Sequence, residues 1–145
     1  VTKYNNLKPN EDRRFLRDMI DFLLRRYQTH AHSDAGAHYV TSKGAVDRDV
    51  FEHVIPAAKV RDMLLQGRLT VRQALNAPTC LISKRNDDIL REEGHVSSSP
   101  DYFYFFKRYA VFDDAKFVTY NGQTIEDLDA WTLEDHYRFF DVDSE

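Results

Sequence analysis

Apolar residues recur along the N-terminal stretch at spacings of one, three and four: Phe15, Leu16, Met19, Ile20, Leu23, Leu24 and Tyr27. That period collects them on one side of a helix, and Asn10-Glu11-Asp12 supplies an acidic start, so an amphipathic helix is predicted over residues 11–28. Its other side, with Arg13, Arg17, Asp21 and Arg25, reads as a solvated face that could also meet phosphates. Residues 29–44 are small and polar and read as a loop. Residues 46–55 alternate loosely up to Pro56, the pattern of a strand or hairpin arm. Two short helices are predicted over 57–66 and 70–76, broken by Gly67, with Thr70 as cap of the second. Residues 79–83 (TCLIS) read as a short apolar strand. Asn86-Asp87-Asp88 then caps a helical segment ending at Gly94. Aromatic strands are predicted over 102–112 and 116–120, the second closing at the turn Asn121-Gly122, and a final helix over 132–140. The mixture points to an α+β fold in a single domain, 1–145.

Length and composition agree with one globule. The chain has 145 residues, 42% of them hydrophobic and 13% aromatic, enough apolar surface to offset chain entropy. No apolar run reaches the roughly 18 residues a membrane span needs, and the N-terminus lacks a signal-peptide layout. The absence of an initiator Met fits processing, trimming or excision from a longer chain. A single cysteine, Cys80, excludes an internal disulfide and every CxxC-type zinc site, and fits a reducing, cytoplasmic setting. The net charge of −4 divides unevenly: residues 1–112 carry 18 Lys/Arg against 14 Asp/Glu, whereas 113–145 carry 2 against 10. A basic body with an acidic C-terminal segment is compatible with a nucleic-acid surface that the segment screens, or with an ordinary acidic terminus.

Two local motifs are set aside on context. The stretch THAHSDAGAH, through His30, His32 and Asp34, resembles the HxHxD zinc signature of metallo-β-lactamase-fold hydrolases, but it follows an amphipathic helix and too little chain remains for that fold's sheets. Adventitious binding of transition metals is the expectation for this His cluster. Tyr39 and Lys43 match the Tyr-x-x-x-Lys of short-chain dehydrogenases, yet no Gly-rich dinucleotide turn lies upstream.

A third constellation has several parts in order. Phe51-Glu52-His53-Val54-Ile55-Pro56 places an acid directly before a His on a strand and an apolar-Pro step after it. Asn86 follows between a strand and a helix, and His95 comes nine residues later. Over residues 45–97 this resembles the HNH, or ββα-metal, endonucleases, with the helices of 57–76 as an insertion. The resemblance implies a phosphodiester hydrolase acting on nucleic acid, in the first instance DNA. His53 would activate water and Asn86 would support it, while Glu52 and His95 would hold a divalent ion, Mg²⁺ or Mn²⁺ foremost, with Zn²⁺ or Ni²⁺ as options. If Gly94 ends the helix before His95, then Asp87, Asp88 or Glu92 are the fallback ligands. Lys84, Arg85 and Arg91, within a run of seven cations over 59–91, would contact phosphates.

The competing class is non-enzymatic: a small regulatory or inhibitor protein of phage or plasmid type, whose acidic, aromatic C-terminal segment (113–145) binds a basic partner or mimics DNA. Nucleic-acid binding without cleavage is a third reading. The aromatic run 102–112 fits a half-buried sheet more economically than a base-stacking surface. Trp131 and His136 are expected to anchor the last helix on the body.

Overall fold

The computed structural model describes residues 11–33, 37–41, 49–95, 98–112 and 116–142. It is an α+β fold: helix α1 (Glu11–Ser33), strands β1 (Tyr39–Thr41) and β2 (Asp49–His53), helices α2 (Ala57–Leu65) and α3 (Val71–Leu75), strand β3 (Thr79–Ser83), helix α4 (Lys84–Glu92), a 3₁₀ turn (Phe105–Tyr109), strand β4 (Phe117–Thr119) and helix α5 (Leu133–Phe139). Among the described residues no helix is long and apolar enough to cross a membrane.

The strands form one mixed sheet in the order β2-β3-β1-β4. β2 runs antiparallel to β3, β3 parallel to β1, and β1 antiparallel to β4. The register aligns Glu52, Cys80, Tyr39 and Thr119 as one row across all four strands, with side chains on the same face. That face is the core. Tyr39, Cys80, Ile82 and Phe117 are wholly buried on it, and Phe105, Phe106, Tyr109 and Leu90 pack over it. The neighbouring row, Phe51, Leu81, Val40 and Val118, lies on the opposite face and is only half-buried.

Local signals account for most of the elements. Thr70 and Thr132 each close a capping box, the Thr hydroxyl accepting from the N–H of Gln73 or Asp135 while that residue's side chain accepts from the cap N–H. Gly67 and Gly94 adopt left-handed φ of 73° and let the N–H of the next residue reach back to Met63 O and Leu90 O, ending α2 and α4. Asn121-Gly122 turns β4 toward Thr124, with Gly122 at φ 87°.

Three expectations are corrected. The aromatic stretch 102–112 is not a strand: the Asp101 carboxylate accepts from the N–H groups of Phe103 and Tyr104 at 2.8 and 3.1 Å, and this turn feeds a 3₁₀ helix. Residues 29–44 are not one loop, since α1 continues to Ser33 and Tyr39–Thr41 form β1. Helix α4 starts earlier than Asn86, because Ser83 caps it through the Asn86 N–H at 3.1 Å. Asp34, Lys43 and the start of the predicted 46–55 strand fall outside the described residues.

A directional chain of hydrogen bonds fastens the C-terminal segment to the sheet. The Trp131 indole donates to the Tyr39 hydroxyl at 3.0 Å, and that hydroxyl donates to His136 Nδ1 at 2.8 Å. His136 Nε2 donates to Asn76 O at 2.9 Å. The directions follow from the ends, since an indole N–H only donates and a carbonyl only accepts. His136 and Tyr39 are fully buried, so Trp131 and His136 anchor the last helix as expected.

Candidate functional site

Strand alternation governs what Glu52 and His53 can do. Adjacent residues on a strand point to opposite faces, and here the partners differ accordingly. Glu52 turns into the core, where one carboxylate oxygen meets the Arg108 guanidinium and the other accepts the Tyr109 hydroxyl proton at 2.9 Å. Arg108 is 1% exposed and also donates to Ser98 O at 3.2 Å. Burial raises the Glu52 pKa above the ordinary carboxylate value, and Arg108 opposes that shift. A permanently charged guanidinium beside it gives the carboxylate its counter-ion.

His53 faces the other way. Its Nδ1 lies 2.6 Å from Gln28 Oε1. The Gln28 amide donates through Nε2 to Ala74 O at 3.2 Å, which fixes its orientation and leaves Oε1 as the acceptor. The His53 proton therefore sits on Nδ1, and Nε2 carries the lone pair. Burial, with Arg25 adding to it, lowers the His53 pKa to about 4, so the ring is neutral at pH 7.

Asn86 and His95, the other predicted site residues, are placed by α4 and the turn that ends it. Asn86 lies in the first turn of α4, and the support of His53 comes from Gln28 instead. His95 follows the turn at Gly94, beyond the end of the helix. Among the described residues no group of three or more His, Cys, Asp or Glu gathers as a metal cage. The test of the expected metal pair is the Glu52 carboxylate, which already holds a cation and a phenol hydrogen bond on the core face, away from His53. The pair Glu52 and His95 therefore does not fit a divalent ion in this arrangement.

Of the expected phosphate contacts, Lys84 pairs with Asp88 and reaches Asp87 at 3.5 Å, and Arg91 pairs with Asp87 at 3.1 Å. Both cations are balanced by acids of their own helix, and Arg85 is exposed. The buried Asp87 adds its field to that of Glu52, raising the latter's pKa slightly. His30 lies on α1 rather than in a metal-binding loop. Tyr39 is a core residue in the hydrogen-bond chain described above.

What sequence reasoning missed is on α1. Leu24 and Gln28 are buried against the body, and Asp21 receives a 2.6 Å bond from Arg61 of α2. Yet Phe15, Phe22 and Leu23 are 63%, 63% and 55% exposed, and Met19 and Tyr27 are exposed too. The signal was legible: with Phe22 included, the apolar positions span just over half the helix circumference, wider than the stripe of about 100° that one buried face requires. Compared with protein-family models, with curated proteins and with solved structures, the chain matches none of them.

Proposed function

We propose that this chain works as a protein-interaction module whose operating surface is the outer face of α1. The observation that carries the reading is the cluster Phe15, Met19, Phe22, Leu23 and Tyr27, exposed together on one helix. With a large side chain presenting on the order of 150–250 Å², these exposures leave roughly 500 Å² of apolar surface on one face, the size that marks a docking site on a soluble domain. This moves the interaction surface from the expected acidic C-terminal segment to the N-terminal helix. In that segment Leu133, His136, Tyr137 and Val142 belong to the core.

A hydrolytic reading keeps two observations in its favour. β3, paired antiparallel with β2, runs without a break into α4, so that with α2 and α3 as an insertion the order is the ββα that the HNH resemblance implies. His53 is held as the neutral tautomer with Nε2 unprotonated, the form a general base needs. No step is assigned to a metal, because Glu52 is committed to Arg108.

Incubating the protein with supercoiled plasmid and with RNA across Mg²⁺, Mn²⁺, Zn²⁺ and Ni²⁺ separates the two. The module reading expects intact substrates. Cleavage by wild type that disappears in His53→Ala overturns it and restores the endonuclease.

A further inference from the structure

We infer that the partner of α1 is α1 of a second copy of this chain, packed antiparallel about a two-fold axis beside Ile20 and Asp21. The inference rests on the reading of α1 as the working surface. It goes further by reading the occupant from the residues that line the face.

Phe15, Met19, Phe22 and Arg26 follow one another at spacings of four, three and four, which makes them the seam of a helix pair. Leu16 and Leu23 flank the seam on one side, and Asp18 and Arg25 flank it on the other. In an antiparallel pair centred between residues 20 and 21, Met19 meets Phe22 of the second copy and Phe22 meets its Met19. Leu16 then lies opposite the second Leu23. On the far side Asp18 faces Arg25 of the second copy, and the two-fold repeats that ion pair. At the ends of the seam Arg26 comes to rest on the ring of the opposite Phe15, a cation–π arrangement.

Every position finds a complementary one on an identical helix, the requirement of an isologous interface. A parallel pair fails this condition, because it sets Arg26 against Arg26 within the apolar seam. The same Arg26 argues against an unrelated apolar groove as occupant, since a charge in the middle of the stripe needs an aromatic face or an acid opposite it. The ion pairs that tie α1 to the body run from Arg17 to Asp62 at 3.3 Å and from Arg61 to Asp21, whereas Asp18 and Arg25 act on Asp21 only through their fields. Phe15, Met19, Phe22 and the flanking Leu23 supply about half of the roughly 800 Å² per partner of a standard interface, and the charged flanks add to it.

Sedimentation equilibrium of the full chain at about 100 µM reads the result directly. Wild type is expected at twice the 17.0 kDa chain mass. Phe22→Asp should weaken association on the order of 100-fold, through loss of two central anchors. It should leave the circular dichroism unchanged, because Phe22 is 63% exposed, and lower the melting temperature only as loss of the dimer requires. Asp18→Arg and Arg25→Asp should each weaken the dimer about tenfold, and the double variant should recover it. A monomer at this concentration overturns the inference. If the substrates also stay intact, the module reading stands with another occupant. A monomer whose cleavage depends on His53 removes both. A dimer indifferent to Phe22→Asp overturns the seam, and singles that the double variant does not rescue overturn the antiparallel register.

Discussion

Replacing Arg108 by Met would remove the counter-ion of Glu52 while keeping a side chain of similar reach in the core. Arg108 is 1% exposed, and the Glu52 side chain is 12% exposed. Truncating one member of a buried pair leaves a charge without compensation, a cost on the order of 3–5 kcal/mol. Restoring neutrality in the double variant Glu52→Gln/Arg108→Met should return a large part of it, so the cycle has a favourable coupling energy. The pH dependence carries the sign. The folded-state pKa of Glu52 is raised, so the folded chain binds that proton more tightly than the unfolded one. Its contribution is present below the ordinary carboxylate pKa near 4.5 and is lost as pH rises through the higher folded value. Without Arg108 the folded value climbs further, and the gap between variant and wild type must widen from pH 5 to pH 8. Urea unfolding followed by the single tryptophan, Trp131, measures both quantities. Should Arg108→Met be too unstable for a native baseline, Tyr109→Phe removes only the 2.9 Å bond to Glu52 and should cost about 1.5–3 kcal/mol. A loss below about 1 kcal/mol, equal at both pH values, would refute a desolvated ion pair.

The depressed pKa of His53 has the opposite sign: stability is full above its unfolded value of 6.5 and falls as pH drops through the folded value of about 4. The loss across that window is at most about 3 kcal/mol, and His53→Gln should flatten it in urea titrations at stepped pH. Tyr39→Phe strips the central hydroxyl from the chain linking Trp131 to His136, and a fall of about 1–3 kcal/mol in unfolding free energy is expected, with a visible change in Trp131 fluorescence. Deleting residues 127–145 removes Leu133, His136 and Tyr137 from the core, and calorimetry should show no cooperative transition rather than a trimmed, folded body.

Elements with a local cause were legible in the sequence. Strand Thr79–Ser83 and the helices capped by Thr70 and Thr132 sit where turn and capping chemistry put them. The aromatic stretch 102–112 misled because a period of two cannot foresee the Asp101 turn that coils it. β1 was invisible because its three residues are strand only by virtue of β3 and β4 on either side. The adjacency of Glu52 and His53 could be read, but not which of them faces the core. That depended on Arg108, 56 residues away, and on Gln28, 25 residues away. The wide apolar arc of α1 was in plain view. One-sided burial is what the period alone suggests, although Phe15, Met19, Phe22 and Leu23 on that arc are exposed.

The hydrogen-bond chain from Trp131 through Tyr39 and His136 to Asn76 has a kinetic meaning. Its links join residues 92, 97 and 60 positions apart, and β4, the partner of β1, comes late in the chain. Loop closure over such distances is what slows folding in small domains. On the ribosome α1 and the β2–β3–α4 region emerge long before Trp131 and His136, so the Tyr39 hydroxyl lacks both of its hydrogen-bond partners until the last helix is made. These residues should therefore complete their fold only after α5 has been made, in one late step, and a chain stalled before that helix should be a substrate for chaperones rather than a partly working domain.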